Sequence, residues 1–224
     1  RILADRVSSL LFCPTETAVK NLQAEGIAKG VVNVGDVMYD VALFYRDRAR
    51  QHSEVLQRLR LRPGNFALAT CHRAENTDDP ERLGGILSAL ARTAEGLPVV
   101  LPLHPRTRKL AEEHDLLHHL DSLTLTEPLP FLDMVALEQA ARLILTDSGG
   151  VQKEAFFYRV PCVTMRDETE WVETVETGWN RLVGASSPAI VAAVSEVLAG
   201  RIGVAQGNPY GDGTAARAIV SRLL

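Results

Sequence analysis

Short apolar, β-branched runs alternate along the chain with longer stretches whose apolar residues recur every three or four positions. LLFC (10–13) precedes ETAVKNLQAEG, whose Gly26 stands where a helix C-terminal glycine belongs. VVNV (31–34), Gly35-Asp36 and a helical pattern from about Tyr39 to Leu61 follow, closed by Arg62-Pro63-Gly64, the clearest boundary in the chain. Beyond it the alternation is regular: FALATC (66–71), a helix over 80–95, PVVLPL (98–103), a helix over 105–119, LTLT (123–126), a helix over 130–141 and RLILT (142–146). A helix over 149–158, VPCVTM (160–165), a helix over 168–177, RLVG (181–184) and a helix over 187–199 complete it. Strands separated by helices of this length predict right-handed βαβ units, and hence a Rossmann-like, doubly wound α/β domain with a parallel sheet covered on both faces.

Residues 1–45 supply only one or two βα units, too few to close a core, and read as the tail of a preceding domain with its linker. The doubly wound domain is expected over 46–204. In the last segment, 205–224, Gly211-Asp212-Gly213 predicts a turn and Thr214 can cap a final helix, which could pack away from the second domain after a Gly-rich hinge. The opening RILADR reads as the middle of a polar helix without an initiator Met, as in a fragment or processed product.

A chain of 224 residues with 46 % apolar and 23 % charged residues suits an ordinary globular protein. Its net charge of -4, without a Lys/Arg block, gives no footprint for nucleic acid or a membrane surface. Cys13, Cys71 and Cys162 are odd in number and lack metal-ligand spacing, which points to a reducing cytoplasm rather than a disulfide framework. No apolar run approaches the roughly 18 residues of a membrane span. His114, His118 and His119 read as a wet helix face, and no metal is expected.

The stretch TDSGGVQKEA (146–155) carries the sharpest chemistry. In an open parallel sheet, ligands bind beyond the carboxyl ends of strands, where helix N-termini converge. Ser148-Gly149-Gly150 lies at such an end, and two glycines let an anion reach unpaired N–H groups at the positive end of a helix dipole. Side chains lean toward a helix N-terminus, so Glu154 can reach the same ligand. A carboxylate suits a vicinal diol rather than a phosphate. The segment therefore fits a nucleotide, with diphosphate on Ser148, Gly149 and Gly150 and ribose on Glu154. A Gly-containing αβ turn with a surface Glu has the same spacing, so other segments must decide.

Cys71-His72-Arg73-Ala74-Glu75-Asn76 ends another strand, and His72 and Arg73 would complement an anionic leaving group. A polar helix-capping loop is the plainer account. His104 follows a third strand and reads more simply as structural. Phe131 opens a helix after Pro130 and is expected in the core, although an aromatic there could lie on a base. In Arg166-Asp167-Glu168-Thr169-Glu170-Trp171, Asp167 or Thr169 would cap a helix and Arg166 could face the diphosphate.

CHRAEN, LPLHPR, PLPFLDMVALEQAARLILTDSGGVQKEA, VPCVTMRDETEWVE and NPYGDG together resemble the non-hydrolysing UDP-N-acetylglucosamine 2-epimerase family, and LFCPTETAVKNLQAEGI and NVGDVMYD resemble its segment leading into the second domain. The resemblance covers nearly the whole chain. It implies a glycosyltransferase-B-like fold of two Rossmann-type domains with the active site in their cleft, and a final helix crossing back to the first domain. It implies Ser148, Gly149 and Gly150 at the diphosphate, Glu154 at the ribose, Phe131 at the uracil region and His72 as a catalytic residue; Arg73, Arg166 and Glu170 join them as substrate-binding candidates. The implied chemistry eliminates UDP across C1 and C2 to a glycal and returns it with protonation from the other face, without cofactor or metal. The family's dimeric habit is implied as well.

Three departures stand out. The family's main acid/base carboxylates precede the RILAD segment, so the residues present are expected to be the UDP-binding half, inactive alone. Thr169-Glu170-Trp171-Val172 replaces the common Thr-Glu-Arg-Pro, removing one expected cationic contact. His104-Pro105-Arg106-Thr107 replaces HLNP, which puts the family's effector site in doubt. GDVMYD, HRAEN and TEW look more like the branch acting on UDP-2,3-diacetamido-2,3-dideoxyglucuronate, whose extra carboxylate Arg106 or Arg108 could meet. A glycosyltransferase of the same fold, a hydrolysing epimerase and a non-catalytic UDP-sugar-binding module are the competing readings.

Overall fold

The computed structural model describes residues 1–201 and 207–224. The chain divides into two compact units, Arg1–Asp47 with Gln206–Leu224, and Arg48–Ala205. The expected boundary at 204/205 lies outside the described residues.

In the smaller unit, β1 (Leu11–Cys13) and β2 (Val31–Asn33) pair in parallel around the helix Glu16–Ala24. Asp36 starts the helix Val37–His52 by accepting the Met38 N–H at 2.8 Å. The final helix spans Ala215–Leu223, but Thr214 makes no side-chain cap. Asp40 supplies the cap instead, its two oxygens accepting the N–H groups of Ala215 at 3.1 Å and Ala216 at 2.7 Å. The two Gly-containing motifs meet here. Gly35 has φ +82, and a Cβ on it would lie 2.9 Å from the Tyr210 carbonyl oxygen, which accepts the Asp36 N–H. Only glycine allows that backbone at that approach.

In the larger unit, β3 (Ala67–Thr70), β4 (Val99–Pro102), β5 (Thr124–Thr126), β6 (Leu143–Thr146), β7 (Cys162–Thr164) and β8 (Asn180–Leu182) form one parallel sheet of order β5-β4-β3-β6-β7-β8. This is the doubly wound α/β arrangement that the alternation predicts. Strand order reverses between β3 and β6, whose register pairs Ala67 with Leu143 and Thr70 with Thr146. Ligands bind in the crevice at such a switch point, and CHRAEN and TDSGG leave these two strands. Both strands read as unbroken apolar runs because both faces are covered. Ala67, Ala69, Leu143 and Leu145 pack on Leu83, Leu87, Leu90 and Ile190 from one layer of helices, whereas Leu68 and Ile144 pack on Val135, Leu137 and Ala155 from the other.

Helix limits depart from the periodicity where side chains intervene. The pattern over 39–61 is split into Val37–His52 and Val55–Arg58. The Ser53 hydroxyl accepts the Val55 N–H at 3.3 Å and donates to Asp133 at 2.6 Å, a tertiary tie that competes with continuing the helix. The helix over 105–119 closes at Glu113, before a 3-10 turn at Leu117–Leu120. The one over 168–177 shrinks to Val172–Glu176, capped by neither Asp167 nor Thr169 through its side chain.

Candidate active site

Two hydroxyls tie the switch-point strands together at their carboxyl ends, Thr70 Oγ1 and Thr146 Oγ1, 2.6 Å apart. Thr146 Oγ1 also accepts the Ser148 N–H at 2.9 Å, which fixes the turn into the helix Gly149–Tyr158. Ser148 occupies the N-cap position, yet its hydroxyl makes no cap bond. The first N–H groups of a helix lack internal acceptors, so serine hydroxyl and glycine amides remain available together. Gly149 is not in the left-handed region. Its value is space: a Cβ there would lie 3.0 Å from Trp171 Nε1, 3.5 Å from an Arg73 guanidinium nitrogen and 3.8 Å from Glu170 Oε2. Arg73, Gly149, Glu170 and Trp171 thus converge on one small volume.

Asp147 organises the loop facing it. The residue is fully buried, and its Oδ2 accepts the N–H groups of His72 at 2.8 Å and Arg73 at 2.9 Å, with Asn76 Nδ2 at 3.4 Å. His72 itself is partly exposed. Burial and neighbouring Asp147 push the Cys71 thiol well above its usual range, so it stays neutral and is no nucleophile.

Arg166 is buried, with Nε 2.6 Å from Glu75 Oε1 and its terminal nitrogens 3.0 and 3.5 Å from the two Glu170 oxygens. Those hydrogen bonds, opposed by burial, hold Glu170 below the usual carboxylate range. Here Arg166 faces the two carboxylates, and its charge reaches the Gly149 volume through Glu170. Glu154 lies one turn into the helix, beside Glu138 of the neighbouring helix Phe131–Ala140. Glu138 is fully buried. Burial and the adjacent Glu154 raise it well above the usual carboxylate range, and burial raises Glu154 too. Two neighbouring carboxyls in a buried place oppose each other's ionisation.

Phe131 is 47 % exposed, so the expected core position is corrected: Pro130 is the N-cap and its neighbour opens the helix at the rim of the fold. Arg106 bonds Thr77 Oγ1 at 3.3 Å and pairs with Asp78, while Arg108 reaches Glu127 at 3.2 Å. The His118 and His119 ring centres lie 4.0 Å apart, with the planes tilted by 43°. Among the described residues, no group of three or more His, Cys, Asp or Glu is arranged to hold a metal. Sequence reasoning missed Asp147, Glu138, Lys153 and Trp171. Lys153 is buried, with its ammonium 4.0 Å from the centre of the Trp171 ring. An acid inside an otherwise apolar stretch, as in LILTD and MVALE, is the signal that marks the first two.

A family model described as UDP-N-acetylglucosamine 2-epimerase matches residues 1–224. The chain belongs to this family. It is similar to the UDP-N-acetylglucosamine 2-epimerase homolog of Methanococcus maripaludis, 48 % identical over 200 residues, covering 88 % of this chain and 56 % of that protein. It is equally similar to the UDP-2,3-diacetamido-2,3-dideoxy-D-glucuronate 2-epimerase of Pseudomonas aeruginosa, 48 % identical over 227 residues, covering 100 % of this chain and 62 % of that protein. The crystal structure of the Methanocaldococcus jannaschii UDP-GlcNAc 2-epimerase in complex with UDP-GlcNAc and UDP matches with a TM-score of 0.88 and 37 % identity, over 100 % of this chain and 63 % of that one. The chain therefore spans less than two thirds of the length of these family members. Solved structures of UDP-N-acetylglucosamine 2-epimerases from Methanocaldococcus jannaschii and Neisseria meningitidis cover 100 % of this chain, which accords with the glycosyltransferase-B-like, Rossmann-type architecture that the resemblance implies.

Proposed function

We propose that this chain carries the UDP-holding part of a UDP-sugar 2-epimerase, an isomerase that in its whole form is a cytoplasmic homodimer. The diphosphate would rest on the Ser148 hydroxyl and the amides of Gly149 and Gly150, with Arg73 beside them. Glu154 would accept the ribose hydroxyls, and Phe131 would lie by the uracil. Glu170, held anionic by Arg166, suits a sugar hydroxyl better than a phosphate. The reaction would break the C1–O bond as the C2 proton leaves, giving a glycal and UDP, then re-form the bond with protonation at the opposite face. Removing the C2 proton alone would leave a carbanion with no carbonyl to stabilise it. Charge develops instead on the departing diphosphate, where the helix N-terminus and Arg73 stabilise it. His72 would act at the sugar and diphosphate as acid, base or hydrogen-bond partner.

The observation carrying this reading is the uncapped Ser148 above a glycine whose missing Cβ leaves room between Arg73, Glu170 and Trp171. Calorimetric titration with UDP tests it: saturable binding by the wild-type chain, weakened in Glu154→Ala, is expected. A folded chain that takes no UDP would sink the proposal.

A second substrate reading rests on the Pseudomonas aeruginosa relative, which matches the whole chain at 48 % identity. The substrate would then be the diacetamido-glucuronate rather than UDP-N-acetylglucosamine. Arg106 or Arg108 would have to exchange Asp78 or Glu127 for the sugar carboxylate. Unchanged discrimination between uronate and neutral sugar nucleotides in an Arg106→Ala, Arg108→Ala protein would count against that role.

A further inference from the structure

Two imidazoles stand side by side at neighbouring strand ends, His72 after β3 and His104 after β4, their ring centres 6.2 Å apart. The loops are tied by Thr107, whose hydroxyl donates to the Cys71 carbonyl at 2.6 Å. Each ring has one nitrogen engaged, and the engagements are opposite in kind. His104 Nδ1 accepts the Arg106 N–H at 3.2 Å as it caps the helix Pro105–Glu113. An accepting nitrogen carries no proton, so neutral His104 holds its proton on Nε2. His72 Nδ1 faces a different group, Asp147 Oδ1, at 3.3 Å. The other oxygen of that buried carboxylate is already engaged by the N–H groups of His72, Arg73 and Asn76. Asp147 Oδ1 is buried and has no aligned hydrogen bond within the protein. A buried anionic oxygen opposite an imidazole nitrogen is stabilised when that nitrogen carries the proton.

We infer that Asp147 is a positioning residue that fixes His72 with its proton on Nδ1, so that His72 and His104 present opposite hydrogen-bonding characters: an acceptor at His72 Nε2 and a donor at His104 Nε2. Asp147 does two jobs with two oxygens, one shaping the loop through backbone amides and the other setting the tautomer. The pair offers a ligand one nitrogen that takes a proton and one that gives a hydrogen bond. Its catalytic meaning rests on the role proposed for His72; the tautomers themselves do not.

Asp147→Asn separates the two jobs. Its amide oxygen must stay with the backbone N–H groups, which turns the amide NH2 toward His72 Nδ1. The ring must then accept there and move its proton to Nε2. Long-range 1H–15N spectra of the whole 224-residue chain, at a pH where the rings are neutral, read tautomers directly, with signals assigned by His72→Gln and His104→Gln. The expected result is Nδ1–H for His72 and Nε2–H for His104 in the wild type, with only His72 switching in Asp147→Asn. A His72 found as Nε2–H in the wild type overturns the inference whether or not the variant folds, as does an unchanged His72 tautomer in a folded variant. UDP titration of the same samples keeps the questions apart: the expected tautomers without UDP binding would sink the proposed function and leave the inference standing.

Discussion

Replacing Gly149 with alanine separates an ordinary turn from a diphosphate cradle, because the two accounts predict different effects on binding and stability. The added methyl would stand 3.0 Å from Trp171 Nε1 and 3.5 Å from an Arg73 guanidinium nitrogen. The indole must give way by a few tenths of an ångström. Against that strain, alanine in a helix gains roughly 0.5–1 kcal/mol over glycine, largely by restricting the unfolded chain. Net stability should therefore stay within about 1 kcal/mol of wild type, read as the urea midpoint at constant slope. Binding has no such compensation. A hydrogen bond to a charged group contributes about 1.5–3 kcal/mol, and the methyl occupies the space through which a phosphate oxygen would reach the Gly149 and Gly150 amides. Losing one such bond weakens UDP by about tenfold to a hundredfold at 1.4 kcal/mol per decade. Uridine, lacking phosphate, should lose little. A folded Gly149→Ala chain that binds UDP as the wild type does would refute the cradle.

Glu138→Gln should change how stability responds to pH. Burial raises Glu138, so above the ordinary carboxylate range of about 4.3 the unfolded chain releases its proton while the native chain keeps it. The native state then binds more protons, and stability falls as pH rises above that range; glutamine should flatten that fall in urea titrations, and an equally steep variant would refute the assignment. Asp40→Ala should cost about 1–2 kcal/mol and speed hydrogen exchange at Ala215 and Ala216, the two amides it caps; unchanged exchange there would contradict the capping role. Trp171→Phe keeps a ring over the Lys153 ammonium but removes Nε1–H beside the cradle. UDP affinity should drop about fivefold, the equivalent of ~1 kcal/mol for one hydrogen bond, with no change for uridine.

The sheet was legible because buried parallel strands are continuous apolar runs, and FALATC, PVVLPL, RLILT and VPCVTM hold all of β3, β4, β6 and β7. The helix after Ser148 spans the expected 149–158, between the two strand runs RLILT and VPCVTM; its close, by Arg159 in the left-handed conformation at φ 59, is visible only in the structure. What stayed hidden depends on distant partners. Ser53 breaks a helix through Asp133, 80 positions away, and Asp40 caps a helix 175 positions later. Periodicity carries no trace of either. Within the proposed site, the glycines and Glu154 stand out in the sequence because an anion and a diol would each need a particular group at a strand end. A cation beside a loop looks available in one dimension, which is why Arg166 is expected at the diphosphate; its two carboxylate partners, Glu75 and Glu170, carry no trace in that pattern. Trp171 and Gly149 come together only through tertiary packing.

The structure of this chain with UDP bound tests the central claim most directly. The account predicts phosphate oxygens within hydrogen-bonding distance of the Ser148 hydroxyl and the Gly149 and Gly150 amides, with ribose hydroxyls on Glu154. Nucleotide bound elsewhere on a folded chain, or seated at β6 with those amides unengaged, would contradict it.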